Sequence, residues 1–176
     1  METRTTKQTM SRTHTVVPSP IGPLTVVAEG GALVRLAMSP PGRFVDAEIG
    51  ERSEDGFDEV VVQLGEYFAG ERTAFELPLA RDEGDAFQRT VWELIDRIPY
   101  GRTATYGDLA RELGEPGMAR EVGAAVGSNP LAIVRPCHRV VGKDGRLVGY
   151  AGGLRRKQFL LSLETGRADR PSDRLF

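Results

Sequence analysis

Cys137 is the only cysteine in a chain of 176 residues, and it lies in the run Arg135-Pro136-Cys137-His138-Arg139-Val140-Val141. A thiol attacks as its thiolate, and with an ordinary pKa near ~8.5 only a small fraction is ionised at neutral pH. A histidine that takes the proton, directly or through water, and a carboxylate that orients the histidine would supply the thiolate on demand. His138 adjoins Cys137, Glu164 lies in a later helical segment, and Asn129 ends the helix that precedes the loop. Pro136 fixes φ immediately ahead of the thiol. Each residue also has a plainer reading. A lone cysteine is commonly a small buried hydrophobe, His138 a hydrogen-bonded loop residue and Glu164 a solvated helix end. Adjacency in sequence does not place the imidazole against the thiol.

Composition excludes several classes of function. One Cys and two His (His14, His138) provide neither an internal disulfide nor the usual four ligands of structural zinc, so no disulfide, metal or cofactor is expected. No apolar run approaches the ~20 residues that cross a bilayer, and the first residues are polar and Thr-rich, so no membrane partner is expected and the cytoplasm is the expected compartment. The net charge of −2 speaks weakly against nucleic acid until it is placed along the chain. Residues 1–83 carry 8 Lys+Arg against 14 Asp+Glu, whereas residues 84–165 carry 12 against 9. Only the second part suits an anionic partner, and its small excess predicts modest, salt-sensitive affinity.

The elements that must position these residues fall into two modules. In the first, spanning 1–82 behind a flexible leader over 1–12, the β-branched runs His14–Val17, Leu24–Ala28 and Ala32–Leu36 alternate with Pro- and Gly-rich turns and predict a small antiparallel sheet. Val60, Val61, Leu64, Tyr67 and Phe68 recur at helical spacing before Gly70 and predict a covering helix. Nothing in this α/β module carries chemistry by itself, and a structural role is expected. The second module, 83–166, opens with Asp85 as a helix cap ahead of Phe87, Val91, Leu94 and Ile95. Thr105-Tyr106-Gly107-Asp108 predicts a capping box, Gly114–Gly117 a tight turn, and Met118–Val126 a second helix, which together form a helix-turn-helix pattern. Gly142–Gly145 predicts a hairpin turn, and a final helix carries Leu154, Leu160, Leu161 and Leu163 inward with Arg155, Arg156 and Lys157 solvated. Residues 167–176 are expected to be a frayed tail.

The run Pro136-Cys137-His138-Arg139-Val140 resembles the active-site motif of the methylated-DNA–protein-cysteine methyltransferases, the O6-alkylguanine-DNA alkyltransferases. The likeness extends in order through Phe87-Gln88, Val91-Trp92, Ile98–Gly101, Thr105–Gly107, Ala119-Arg120, Val122-Gly123, Asn129-Pro130 and Gly149–Gly153, and it reaches back to Ser19–Leu24. It implies an RNase H-like α/β N-terminal domain followed by a mostly α, winged helix-turn-helix-like C-terminal domain. It also implies repair by direct reversal: O6-methylguanine, or O4-methylthymine, is flipped from duplex DNA and its alkyl group passes irreversibly, once per molecule, to Cys137. His138, acting through a water, and Glu164 would deprotonate the thiol while Asn129 braces the loop. Tyr106 would donate to guanine N3, the Val140 and Cys137 carbonyls would accept from the exocyclic amine, the Ala151 N–H would contact O6, and Tyr150 would wall the pocket. Arg120 would fill the space that the base leaves. Ala119 and Gly123 would border the minor groove, in a monomer that reads double-stranded DNA with little sequence preference.

Three departures accompany the likeness. Arg135 replaces a usually apolar residue and is expected to be paired or to face DNA, Glu121 adds a carboxylate beside Arg120, and the zinc ligands that some relatives carry in the N-terminal domain are missing. A non-catalytic alkyltransferase-like protein that only binds lesions is the nearest alternative, and Cys137 speaks against it because those relatives lack the acceptor. A transcription regulator would need no Pro-Cys-His motif. A cysteine hydrolase usually draws its histidine from a distant segment.

Overall fold

The computed structural model describes residues 11–80 and 84–166. The start of the leader, the expected module boundary at 82/83 and the expected tail lie outside the described residues. Arg12, assigned to the leader by sequence, instead begins β1 (Arg12–Val17). Strands β2 (Leu24–Glu29) and β3 (Ala32–Ala37) follow as antiparallel neighbours of β1 and of each other. Gly30 and Gly31, at φ 59 and 81, make the two-residue turn between β2 and β3, a geometry that few other residues adopt without strain. The sheet is not purely antiparallel. After the short helix α1 (Asp46–Ile49), β4 (Glu51–Arg52) joins the open edge of β1 in parallel, giving the order β3-β2-β1-β4. The two-residue strand Glu-Arg is charged and exposed, so no apolar alternation marked it.

Helix α2 (Asp58–Phe68) covers the sheet: Val60, Leu64 and Tyr67 pack with Leu24, Val26, Leu33 and Leu36 in one core. Val61, expected on that face, is instead 44% exposed. This core does not stop at the module. Leu131, Ile133 and Leu160 of the second module belong to it. Backbone bonds from Leu36 N to Pro130 O (2.9 Å) and from Ala132 N to Leu36 O (3.1 Å) tie the edge strand β3 to the second module.

The second module has its own core. Helices α3 (Ala86–Asp96), α4 (Tyr106–Glu112) and α5 (Ala119–Gly127) bury Val91, Ile95, Leu109, Val122 and Val126 together. The predicted caps form: Asp85 accepts from Gln88 N at 2.8 Å, and Thr105 Oγ1 accepts from Asp108 N at 3.0 Å. The expected hairpin turn at Gly142–Gly145 closes through Gly142 N to Arg146 O at 2.7 Å and Gly145 N to Gly142 O at 3.1 Å. Its first strand, β6 (Val140–Val141), pairs in parallel with β5 (Ala104–Thr105), because the chain after Cys137 must run beside the start of α4. The final helix, α6 (Leu154–Glu164), buries Lys157, Leu160 and Glu164, spaced as one face. Lys157, expected in solvent, is fully buried, and Leu154, expected inward, is 46% exposed. Arg156 is half-buried and donates to Ile21 O across the module interface at 2.8 Å.

Candidate active site

The loop that presents Cys137 is pinned by Asn129. Its Oδ1 accepts from Leu131 N at 3.0 Å and its Nδ2 donates to Arg135 O at 3.1 Å, which holds both ends of the excursion. Inside it, Ile133 is buried with φ 69, and Val134 N bonds Ala132 O at 2.8 Å around it. A β-branched residue in this conformation costs roughly 1–3 kcal/mol and persists only where packing dictates it. Pro136 (φ −80, ψ 60) then turns the chain again, with Cys137 N bonded to Arg135 O at 2.8 Å. The thiol thus lands where the two cores meet, buried, on the wall of a cavity of about 480 Å3.

His138 is completely buried, and its Nε2 lies 2.7 Å from Glu164 Oε1. The same oxygen accepts from Tyr67 Oη at 2.8 Å and from an Arg139 terminal nitrogen at 2.9 Å, while Oε2 accepts from Arg139 Nε at 2.8 Å. Arg139 also donates to Ile98 O at 2.7 Å. A buried carboxylate is costly unless it is hydrogen-bonded and paired with a cation, and both conditions are met here. Burial pushes Glu164 up, but the hydrogen bonds from His138 and Arg139 outweigh it and hold the carboxyl at about 2. Burial holds His138 below its usual range against the opposing pull of Glu164, so the imidazole is neutral near pH 7. With Nε2–H directed to Glu164, Nδ1 keeps its lone pair. Nδ1 is buried and bonds to none of the described residues.

Burial raises the Cys137 thiol, and hydrogen bonding to Asn129 and the positive charge of Lys157 pull it back. Lys157 Nζ donates to Val148 O at 3.1 Å and lies 6.0 Å from the Tyr106 ring centre and 5.8 Å from that of Tyr150. Burial lowers Lys157, and the facing thiol opposes that shift. Tyr150 is pushed well up by burial and by the Cys137 charge; its hydroxyl faces the thiol without a hydrogen bond of good geometry. Tyr106, at the start of α4, makes only long bonds, 3.3 Å each, to the Val148 and Gly149 carbonyls, and burial keeps it a phenol. Gly123 of α5 faces its ring, where a Cβ would sit 3.7 Å away. Val140 is buried in β6, and its N–H bonds the Cys137 carbonyl. Ala151 lines the cavity within the loop Gly149–Gly153. Gly152 faces the Met38 sulfur so closely that a Cβ there would push the Met38 side chain aside, which marks where this loop packs against the first module.

On the outer side of α5, Arg120, Glu121, Ala124 and Gly127 are exposed, while Ala119 is half-buried. Arg135 is paired, as expected: its Nε lies 3.4 Å from Asp96 Oδ1 and its guanidinium covers the Trp92 ring at 5.0 Å. Sequence reasoning missed Lys157, Arg139 and Tyr67. Lys157, Leu160 and Glu164 share a helical face whose middle member is plainly apolar, which was the available signal for Lys157. Tyr67 carried no signal beyond an apolar stripe, since its partner lies 97 residues away.

Residues 13–81 match the family model described as 6-O-methylguanine DNA methyltransferase, ribonuclease-like domain, and residues 86–166 match its DNA binding domain. The chain is 44% identical over 160 residues to the methylated-DNA--protein-cysteine methyltransferase of Mycobacterium bovis, covering 91% of this chain and 95% of the relative. It is 48% identical over 158 residues to the protein of the same name from Mycolicibacterium paratuberculosis, covering 86% and 91%. Its fold matches the crystal structure of Mycobacterium tuberculosis OGT in complex with DNA at 42% identity and a TM-score of 0.81, covering 93% of this chain and 99% of the other. The chain therefore belongs to the 6-O-methylguanine DNA methyltransferase family, two-domain proteins of DNA repair by transfer of an alkyl group from DNA to a protein cysteine.

Proposed function

We propose that this chain flips O6-methylguanine, and O4-methylthymine, out of duplex DNA and takes the methyl group irreversibly onto Cys137. The observation that carries this reading is the buried thiol on a cavity wall, backed by a His138–Glu164 pair at 2.7 Å. The Cys137 proton passes toward His138 Nδ1 through a water, and Glu164 balances the imidazolium. Sγ–C forms as O6–C breaks, and the electron pair goes to guanine. Tyr106 exchanges its long carbonyl contacts for guanine N3 and donates there, and Lys157 offsets the negative charge that this leaves on the phenol. The Val140 and Cys137 carbonyls and the Ala151 N–H hold the base, with Tyr150 as a wall.

Arg120 enters the stack from the exposed side of α5, where the Ala124 methyl and the bare backbone of Gly127 are also exposed and allow approach to the minor groove. Relay, thiol and helix come from one chain, which supports action as a monomer. We place the reaction in the cytoplasm. The thioether C–S bond is not cleaved by thiols or reductants, and the chain has no second cysteine to take another group, so each molecule acts once. Incubation with a duplex carrying one O6-methylguanine should add one methylene's mass to the Cys137 peptide and restore guanine. Multiple turnovers, or no adduct, overturn the reading. A Cys137→Ala protein should bind the duplex and accept nothing; binding without transfer by the unaltered chain would instead favour a lesion-binding role.

A further inference from the structure

The cavity beside Cys137 reaches into the first module. Arg35, Met38 and Phe44 line it opposite Trp92, Tyr150 and the thiol. Its volume of about 480 Å3 is of the size that encloses a whole small ligand, so a flipped base leaves room for a substituent larger than methyl. Arg35 is the one charged side chain among the described residues that line it. The guanidinium lies over the Phe44 ring at 5.3 Å, and its Nε is buried without a hydrogen bond to any described residue. Arg35 is half-buried, and among the described residues no carboxylate pairs with it; a buried guanidinium N–H without an acceptor is unfavourable, and the planar fork matches a carboxylate.

We propose that this end of the cavity is a subsite for O6-alkyl groups that terminate in a carboxylate, with Arg35 as the specificity-determining residue. The proposal rests on the alkyl-transfer reading of the same site. In the step, Sγ bonds the methylene carbon, the O6–carbon bond breaks, its electron pair leaves with guanine, and the carboxylate travels unchanged to give S-carboxymethylcysteine. A thiolate that approaches carbon next to a carboxylate meets like charge. Arg35 offsets that repulsion as the anions converge, whereas a methyl group has nothing to present to it.

The test uses the full chain and free bases, which carry no phosphate: O6-carboxymethylguanine, its neutral isostere O6-carbamoylmethylguanine, and O6-methylguanine. Single-turnover rates are followed by the mass of the Cys137 peptide. The unaltered chain should favour carboxymethyl over carbamoylmethyl by about tenfold or more, the size of a charge-assisted contact. Arg35→Met should bring that ratio near one, and Arg35→Lys should retain part of it. No preference in the unaltered chain, or an equal loss on all three bases in Arg35→Met, overturns the subsite. A loss seen only with duplex substrates makes Arg35 a phosphate contact and overturns it as well. Failure of the unaltered chain to demethylate duplex O6-methylguanine would instead remove the alkyl-transfer reading itself, so the two failures are distinguishable.

Discussion

Tyr67 and Glu164, 97 residues apart in the chain, meet at 2.8 Å, and the phenol donates to the same carboxylate oxygen that bonds His138. The first module therefore reaches the far end of the proposed proton relay. Its helix α2 is not only a cover for the sheet, since the residue that closes its apolar face also fixes Glu164. Tyr67→Phe should lower stability by about 1.5–3 kcal/mol, the range for a hydrogen bond to a charged acceptor. The urea midpoint would fall with the slope unchanged. Transfer to Cys137 should also slow, because Glu164 loses one of its holders. An unaltered midpoint would show that the phenol adds nothing.

Glu164 predicts an acid limit to the fold. Its carboxyl sits at about 2 in the folded chain, below its ordinary 4.5, so its contribution is fully present above about 4.5 and is lost as pH falls through about 2. Unfolding midpoints measured across this window should drop toward low pH. Glu164→Gln should flatten that part of the profile and cost about 3–5 kcal/mol, because Arg139 is left buried without its counter-charge. A variant with an unchanged acid profile would locate the titrating group elsewhere.

Burial raises the Cys137 thiol, and Lys157 is the larger of the two cations, with Arg135, that pull it back. Lys157→Met should slow labelling of Cys137 by iodoacetamide at neutral pH by roughly tenfold, and it should move the labelling curve to higher pH. The urea midpoint serves as the control. A Lys157 that acts only through packing would shift the midpoint and leave the pH dependence of labelling where it was.

Arg120 is exposed, on the outer side of α5. Arg120→Ala should reduce transfer from a duplex at least about tenfold, since unstacking a base costs a few kcal/mol that the inserted side chain helps to recover. The rate with free O6-benzylguanine should stay at its original value. Equal losses on both substrates would remove Arg120 from base flipping.

Much of the fold was legible in short-range pattern. Asp85 and Thr105 begin their helices because each side chain reaches a backbone N–H three residues on, a contact that local sequence contains in full. Hydrophobic spacing marked the buried faces of α2 and α3, and the glycine pair at Gly30-Gly31 marked the turn between β2 and β3. Pairings that depend on distant partners were not legible. Strand β4 is a charged dipeptide whose only distinction is the open edge of β1, and β6 pairs with β5 rather than with the chain that follows it.

The same division runs through the site. By itself the sequence determined the family and pointed to the thiol we propose as acceptor, because the one Cys of the chain lies between Pro136 and His138 in a co-linear run of family motifs. Only the tertiary structure decided what surrounds that thiol. Burial turned Lys157 from a solvated helix residue into a charge at the site, brought Arg139 and Tyr67 onto the Glu164 carboxylate, and set Arg35 of the other module on the cavity wall. Electrostatics acts through space and strengthens as water is excluded, so the charges that tune Cys137 come from segments that sequence order keeps apart.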